Sequence, residues 1–86
     1  MKEYMVEFTI IADPKSKDFQ DLLPAEQQRT KELLNSGEIR HMWLKEDKSG
    51  GYFVAFTNNE KEVQEINDSL PLKKYLAFKT YALNMN

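Results

Sequence analysis

The sequence predicts an α+β fold with four strands and two helices in the order β-α-β-β-α-β. Short segments rich in aromatic and β-branched residues, typical of strands, are separated by two segments with helical spacing of apolar residues. A polar loop that contains two glycines joins the middle pair of strands as a hairpin. The length of 86 residues fits one domain with a thin core.

The first strand is predicted over Tyr4–Ile11, where both faces carry apolar residues as in a central strand. An Ala-Asp-Pro sequence ends it, and residues 15–23 are predicted to form a loop with one helical turn. The first helix is predicted to begin at Pro24, because proline lacks only an N–H group that has no partner at the first helical position. Gly37 is predicted to end this helix.

The second half of the chain repeats the layout of the first half. Strands are predicted over Glu38–Lys45 and Tyr52–Thr57, and a last strand over Tyr75–Leu83. The second helix opens at Asn59, which with Glu62 fits a reciprocal N-terminal cap. This order predicts a ferredoxin-like unit, a four-stranded antiparallel sheet with both helices on one face.

The sheet face without helices is predicted to be covered by a second copy of the chain. A sheet with one solvated face alternates cleanly between apolar and polar residues, and these strands do not. Because a large exposed apolar patch marks an interface or a ligand groove, we expect a homodimer with a cavity between the two sheets.

Composition narrows the function classes. The chain has no cysteine and one histidine, so neither disulfides nor a metal site is expected. A net charge of −2 without a basic stripe argues against nucleic-acid binding. No apolar run reaches the length of a signal peptide or a membrane helix, so we expect a cytoplasmic protein without a membrane partner.

The only histidine and the only tryptophan, His41 and Trp43, lie two residues apart on the second strand. They therefore share one sheet face. With an unperturbed pKa of about 6.5, His41 is a candidate general acid or base, and Trp43 a candidate pocket wall. Alternatively, His41 only hydrogen-bonds a neighbour at the sheet edge. Arg40 is predicted to lie on the opposite face and to form a surface ion pair.

Two carboxylates are candidates for chemistry. Helical spacing places Glu26 and Thr30 on the inward face of the first helix, where burial would raise the pKa of Glu26 and make it a proton acceptor. Alternatively, Glu26 is the third helical residue and caps a backbone N–H. Glu7 is a second candidate by the same buried-acid argument if its face lines the cavity, and otherwise faces solvent or pairs across the sheet.

Aromatic residues on the strands are candidates for contacting a ring-shaped ligand. Tyr52 and Phe78, with Trp43, are the ones we select. The alternative is that these side chains are core or dimer interface, which is the common fate of buried aromatics.

Several segments resemble muconolactone isomerases. Residues 32–43, Glu-Leu-Leu-Asn-Ser-Gly-Glu-Ile-Arg-His-Met-Trp, are similar to the helix-to-strand segment of that family. Ser69-Leu70-Pro71-Leu72, followed by Tyr75, is similar to its turn before the last strand. Further similarities lie at Glu26, Tyr52 and Val54. The resemblance implies a dimeric α+β barrel, assembled as a homodimer or a larger ring of dimers, that moves a proton on a lactone ring without a cofactor.

The sequence departs from the family at Leu44, where arginine is usual, and at Ala77 and Lys79, near which acidic residues are usual. The first hypothesis is an isomerase in which His41 and Glu26 carry protons on a small cyclic or unsaturated acid. Trp43, Glu7, Tyr52 and Phe78 would then line the substrate site. A second hypothesis is a non-catalytic barrel that binds an apolar ligand. A haem-degrading monooxygenase of the same superfamily is a third hypothesis. It is disfavoured because it would need an asparagine and a separately placed histidine around a haem, whereas His41 and Trp43 are neighbours on one strand.

Overall fold

The computed structural model describes residues 1–84 and has the predicted order of elements. The strands are β1 (Lys2–Ile10), β2 (Ile39–Leu44), β3 (Gly50–Thr57) and β4 (Leu76–Ala82), and the helices are α1 (Lys17–Ser36) and α2 (Glu60–Asp68). A 3₁₀ turn, Lys73–Tyr75, precedes β4. The strands form one antiparallel sheet in the order β2-β3-β1-β4. The ferredoxin-like α+β fold is thereby confirmed.

Helix α1 begins at Lys17, so the predicted start at Pro24 is wrong. The Ser16 hydroxyl caps the helix by accepting the Phe19 backbone N–H at 3.3 Å. Phe19 is buried and packs 6.0 Å from the ring of Tyr75, which holds the first turn against the protein. Tertiary packing therefore outweighs the preference of proline for a helix start, and Pro24 lies inside the helix.

The other predicted helix ends agree with the structure. Gly37 ends α1 in the left-handed region at φ 83°, a conformation that glycine adopts without strain. The Asn59 side chain caps α2 by accepting the Glu62 N–H at 3.0 Å. In return, the Glu62 carboxylate accepts the N–H of Asn58 at 2.8 Å, one residue before the predicted partner.

The strand register sorts side chains onto two faces, because residues paired across antiparallel strands point the same way. The helix-covered face holds the core, in which α1 and α2 contribute Leu33, Val63 and Ile66 against strand residues Tyr4, Val6, Phe8, Ile39, Phe53 and Ala55. We call the opposite side the open face. It carries a mixture of apolar, aromatic and charged side chains, among them Met5, Glu7, His41, Trp43, Tyr52, Val54, Lys79 and Tyr81.

Two predicted placements on the sheet need correction. Phe78 pairs with Phe8 and packs against the core, so it lies on the helix-covered face, away from Trp43. A register shift between Ile39 and His41 brings Arg40 to the open face with His41, where its guanidinium lies 3.6 Å from the centre of the Phe56 ring. Bulges of this kind re-aim side chains. The ion pair predicted for Arg40 is present, at 3.7 Å from the carboxylate of Glu3.

No helix within residues 1–84 is both long enough and apolar enough to cross a membrane. In the same part of the chain, no group of three or more His, Cys, Asp or Glu side chains is arranged to hold a metal ion.

Candidate active site

A cavity of about 680 Å³ lies between α1 and the helix-covered face of the sheet. This volume is in the range of roughly 300–1,000 Å³ that is typical of small-molecule sites. Glu26, Gln27 and Thr30 of α1 are polar residues in its lining. The apolar part of the lining includes Phe8, Ile10, Phe19, Leu23, Met42, Leu72 and Leu76.

Helix α1 is held over this cavity by its two buried side chains, Phe19 near its start and Leu33 near its end. Between them, Leu23, Glu26 and Thr30 follow at helical spacing and all line the cavity. The inward orientation that the sequence predicts for Glu26 and Thr30 is therefore the one observed.

Glu26 is half-buried, and its carboxylate accepts the backbone N–H of Leu72 at 2.9 Å. Burial raises the pKa of this carboxyl, and the Leu72 hydrogen bond opposes part of the rise. Since Glu26 is the tenth residue of α1, the alternative in which it caps the first turn is wrong. The contact instead ties the Leu70-Pro71-Leu72 turn to the middle of α1.

Glu7 lies on the open face in a different environment. Its carboxylate accepts hydrogen bonds from Lys45 Nζ at 3.3 Å and from the Tyr52 hydroxyl at 3.2 Å. These two bonds, with the nearby charge of Lys79, lower the pKa of Glu7. The sequence predicts that burial raises the pKa of Glu7, whereas in the structure its pKa is lowered. Its carboxylate is an anion that already accepts hydrogen bonds from two donors.

His41 and Trp43 are also on the open face. Their rings stack with centroids 5.4 Å apart and an angle of 25° between the planes, and both side chains are exposed. Neither lines the cavity below α1. The sheet lies between His41 and Glu26, so one chain does not bring together these two predicted proton carriers.

The predicted site residues thus divide between the two sheet faces. Glu26 lines the cavity and Phe78 lies on the same side of the sheet, whereas Glu7, His41, Trp43 and Tyr52 share the open face. Sequence reasoning missed Lys31 and Lys48, whose exposed side chains also line the cavity. Helical spacing could have predicted Lys31, because it follows Thr30 on α1. It could not have predicted Lys48, which reaches the cavity through the conformation of the hairpin between β2 and β3.

The family model described as muconolactone delta-isomerase matches residues 2–85. The chain belongs to the muconolactone delta-isomerase family.

One solved structure similar to this family member is a crystal structure of muconolactone isomerase at 3.3 Å resolution, with a TM-score of 0.83. The two sequences are 20% identical, and the match covers 98% of this chain and 90% of that chain. At this identity the likeness establishes the fold. Comparison with curated protein sequences gives no match.

Proposed function

We propose that the chain is a cofactor-independent isomerase that shifts a proton on a small cyclic or unsaturated acid or lactone, in the cavity below α1. One observation carries the proposal: the Glu26 carboxyl lies half-buried among apolar walls and its pKa is raised. A raised pKa makes the ionised carboxyl a stronger base for taking a proton from carbon. Membership of the muconolactone delta-isomerase family supports the reaction class.

The proposed step is redox-neutral. The Glu26 carboxylate takes a proton from a carbon that is acidified by a conjugated carbonyl group. The C–H bond breaks, an O–H bond forms on Glu26, and the electron pair enters the π system as a dienolate. The same carboxyl then returns the proton to a different carbon, which moves the double bond and restores the carboxylate.

Groups around Glu26 suit this step. The Leu72 N–H holds one carboxylate oxygen at 2.9 Å, which fixes the orientation of the carboxyl and leaves its other oxygen for substrate. The Thr30 hydroxyl and the Gln27 amide line the same cavity and are available to donate to the negative oxygen of the dienolate. The apolar part of the lining lowers the local dielectric constant, which strengthens these interactions.

The open face supports a second proposal, which concerns assembly. Trp43 is 48% exposed beside the stacked His41, and Tyr52 and Val54 pair with this segment. A second copy packed sheet to sheet would cover these rings and enclose a space between the copies. In that homodimer the open face is the candidate site of a non-catalytic barrel that binds a small apolar ligand. A monomer at micromolar concentration in light scattering would refute this assembly.

The isomerase proposal is tested by proton exchange. We would incubate the protein in D₂O with a panel of unsaturated γ-lactones and unsaturated carboxylic acids and follow the substrates by ¹H NMR. Deuterium entering the carbons next to the double bond, with double-bond migration, is expected for the wild type. Glu26→Gln is expected to lose this exchange. Glu32→Gln, on an exposed part of the same helix, is its matched control and is expected to keep the activity. Binding without exchange for every compound would overturn the isomerase and favour the binding protein.

A further inference from the structure

We infer that the cavity below α1 selects amphipathic carboxylic acids, with an apolar body larger than one lactone ring and an anionic end held at the mouth by Lys31 and Lys48. The inference rests on the proposed function only for the location of the site. It adds which acids the site accepts.

The size and lining of the cavity support the apolar body. A volume of about 680 Å³ is that of sites for drug-sized ligands, well above the needs of a single small ring. Leu34 and Leu44 line the same cavity although they are 40% and 71% exposed, so apolar surface continues outward from the interior along its rim. A short polar ligand would leave that surface in water, whereas an extended apolar ligand would cover it.

The charges at the mouth support the anionic end. Lys31 comes from α1 and Lys48 from the hairpin between β2 and β3, and both are exposed where they line the cavity. In residues 1–84, neither lysine takes part in an ion pair, whereas Lys17, Lys45 and Lys73 do. Glu26 is more buried than the two lysines. A ligand whose carboxylate lies at the mouth, beside the lysines, therefore keeps that carboxylate away from the carboxylate of Glu26.

The backbone at Lys48 supports the same assignment. This residue has a φ of 62°, in the left-handed region, and is the only residue other than glycine with a positive φ in the described chain. Lysine adopts this region with strain that glycine or asparagine would largely avoid. A strained residue whose side chain reaches the mouth of a cavity is consistent with a functional role for its charge.

Calorimetric titration with three probes tests the inference: sodium octanoate, sodium butanoate and octan-1-ol. Octanoate is expected to bind most tightly, because each buried methylene adds about three- to fourfold in affinity. Butanoate, which lacks four methylenes, is expected to bind about 80- to 250-fold more weakly. Octan-1-ol, which has the apolar body without the charge, is expected to bind more weakly than octanoate by roughly tenfold.

The lysines are tested by the double substitution Lys31→Gln and Lys48→Gln, with Lys61→Gln on exposed α2 as the matched charge control. The double variant is expected to lose about tenfold in octanoate affinity and to leave octan-1-ol unchanged, since only a charged partner is affected. Leu44→Ser is expected to weaken both probes alike. The inference is overturned if octanoate does not bind, if it binds no better than octan-1-ol, or if the double variant matches Lys61→Gln.

This test can fail or succeed separately from the isomerase proposal. Glu26→Gln is expected to retain octanoate binding, because the glutamine side chain keeps the shape and the acceptor for Leu72. If lysine-dependent binding holds while Glu26→Gln leaves turnover intact, the site selects these acids but the catalytic role of Glu26 is wrong. If Glu26→Gln abolishes turnover while octanoate binds regardless of the lysines, the isomerase stands and the present inference falls.

Discussion

Each side of the sheet has one glutamate whose surroundings shift its pKa, and the two shifts have opposite directions. Glu26, on the helix-covered side, meets apolar walls and a single backbone N–H, and burial raises its pKa. Glu7, on the open face, accepts hydrogen bonds from Lys45 and Tyr52, which lower its pKa. The same side chain is thus prepared for proton transfer on one side and for a fixed negative charge on the other. The two glutamates therefore differ in role because their neighbouring groups differ.

The largest expected effect is on turnover. Replacing Glu26 with glutamine removes the proton acceptor and keeps its shape, so we expect kcat to fall by about 100- to 10,000-fold in the exchange assay. Glu7→Gln is the matched substitution on the other face and is expected to change kcat by less than about threefold. Equal losses in the two variants would contradict the division of roles between the faces.

The next effect concerns stability. Glu26→Ala leaves the Leu72 N–H without its acceptor in a half-buried turn, which is expected to lower the free energy of unfolding by about 1–3 kcal/mol. Urea denaturation followed by circular dichroism measures the change. Glu26→Gln retains an acceptor oxygen and is the control, expected to be at least as stable as the wild type at neutral pH. A Glu26→Ala variant as stable as Glu26→Gln would show that the Leu72 contact contributes nothing.

Much of this comparison was accessible from the sequence, and the misses have identifiable causes. Helical spacing correctly predicted that Glu26 and Thr30 face inward. The order of strand and helix patterns along the chain correctly predicted the ferredoxin-like fold. The start of α1 was missed because the burial of Phe19 against Tyr75 is a tertiary contact. The face of Phe78 depended on its pairing with Phe8, since strands that are apolar on both sides do not reveal which side the helices cover.

The misses on the open face have another cause, because they depend on where side chains from different strands meet. The pKa of Glu7 is set by Lys45 and Tyr52, which are 38 and 45 residues away along the chain. The side on which Arg40 lies is set by a register shift that alternation along one strand does not encode.

A smaller effect is the pH dependence of stability, with opposite signs for the two glutamates. The raised native pKa of Glu26 means that its protonation favours folding, and this contribution is lost as pH rises from about 4.5 through the native value. The lowered native pKa of Glu7 means that its ionisation favours folding, and this contribution is lost as pH falls below about 4.5.

Urea unfolding of the wild type and both glutamine variants between pH 3 and about pH 7 would measure these signs. The stability of Glu26→Gln relative to the wild type is expected to increase with pH, and that of Glu7→Gln to decrease with pH. Parallel pH profiles for the two variants would show that their surroundings do not distinguish the two carboxyls.

The smallest expected effect belongs to His41. Because the sheet separates it from the cavity below α1, His41→Ala is expected to change kcat in the exchange assay by less than about threefold. Trp43→Phe, which keeps an aromatic partner on the same face, is the control for disturbance of the stacked pair. A hundredfold loss in His41→Ala alone would move the chemistry to the open face. The reaction would then belong to a space enclosed by two copies, and the role of Glu26 would be structural, through its hydrogen bond with the Leu72 N–H.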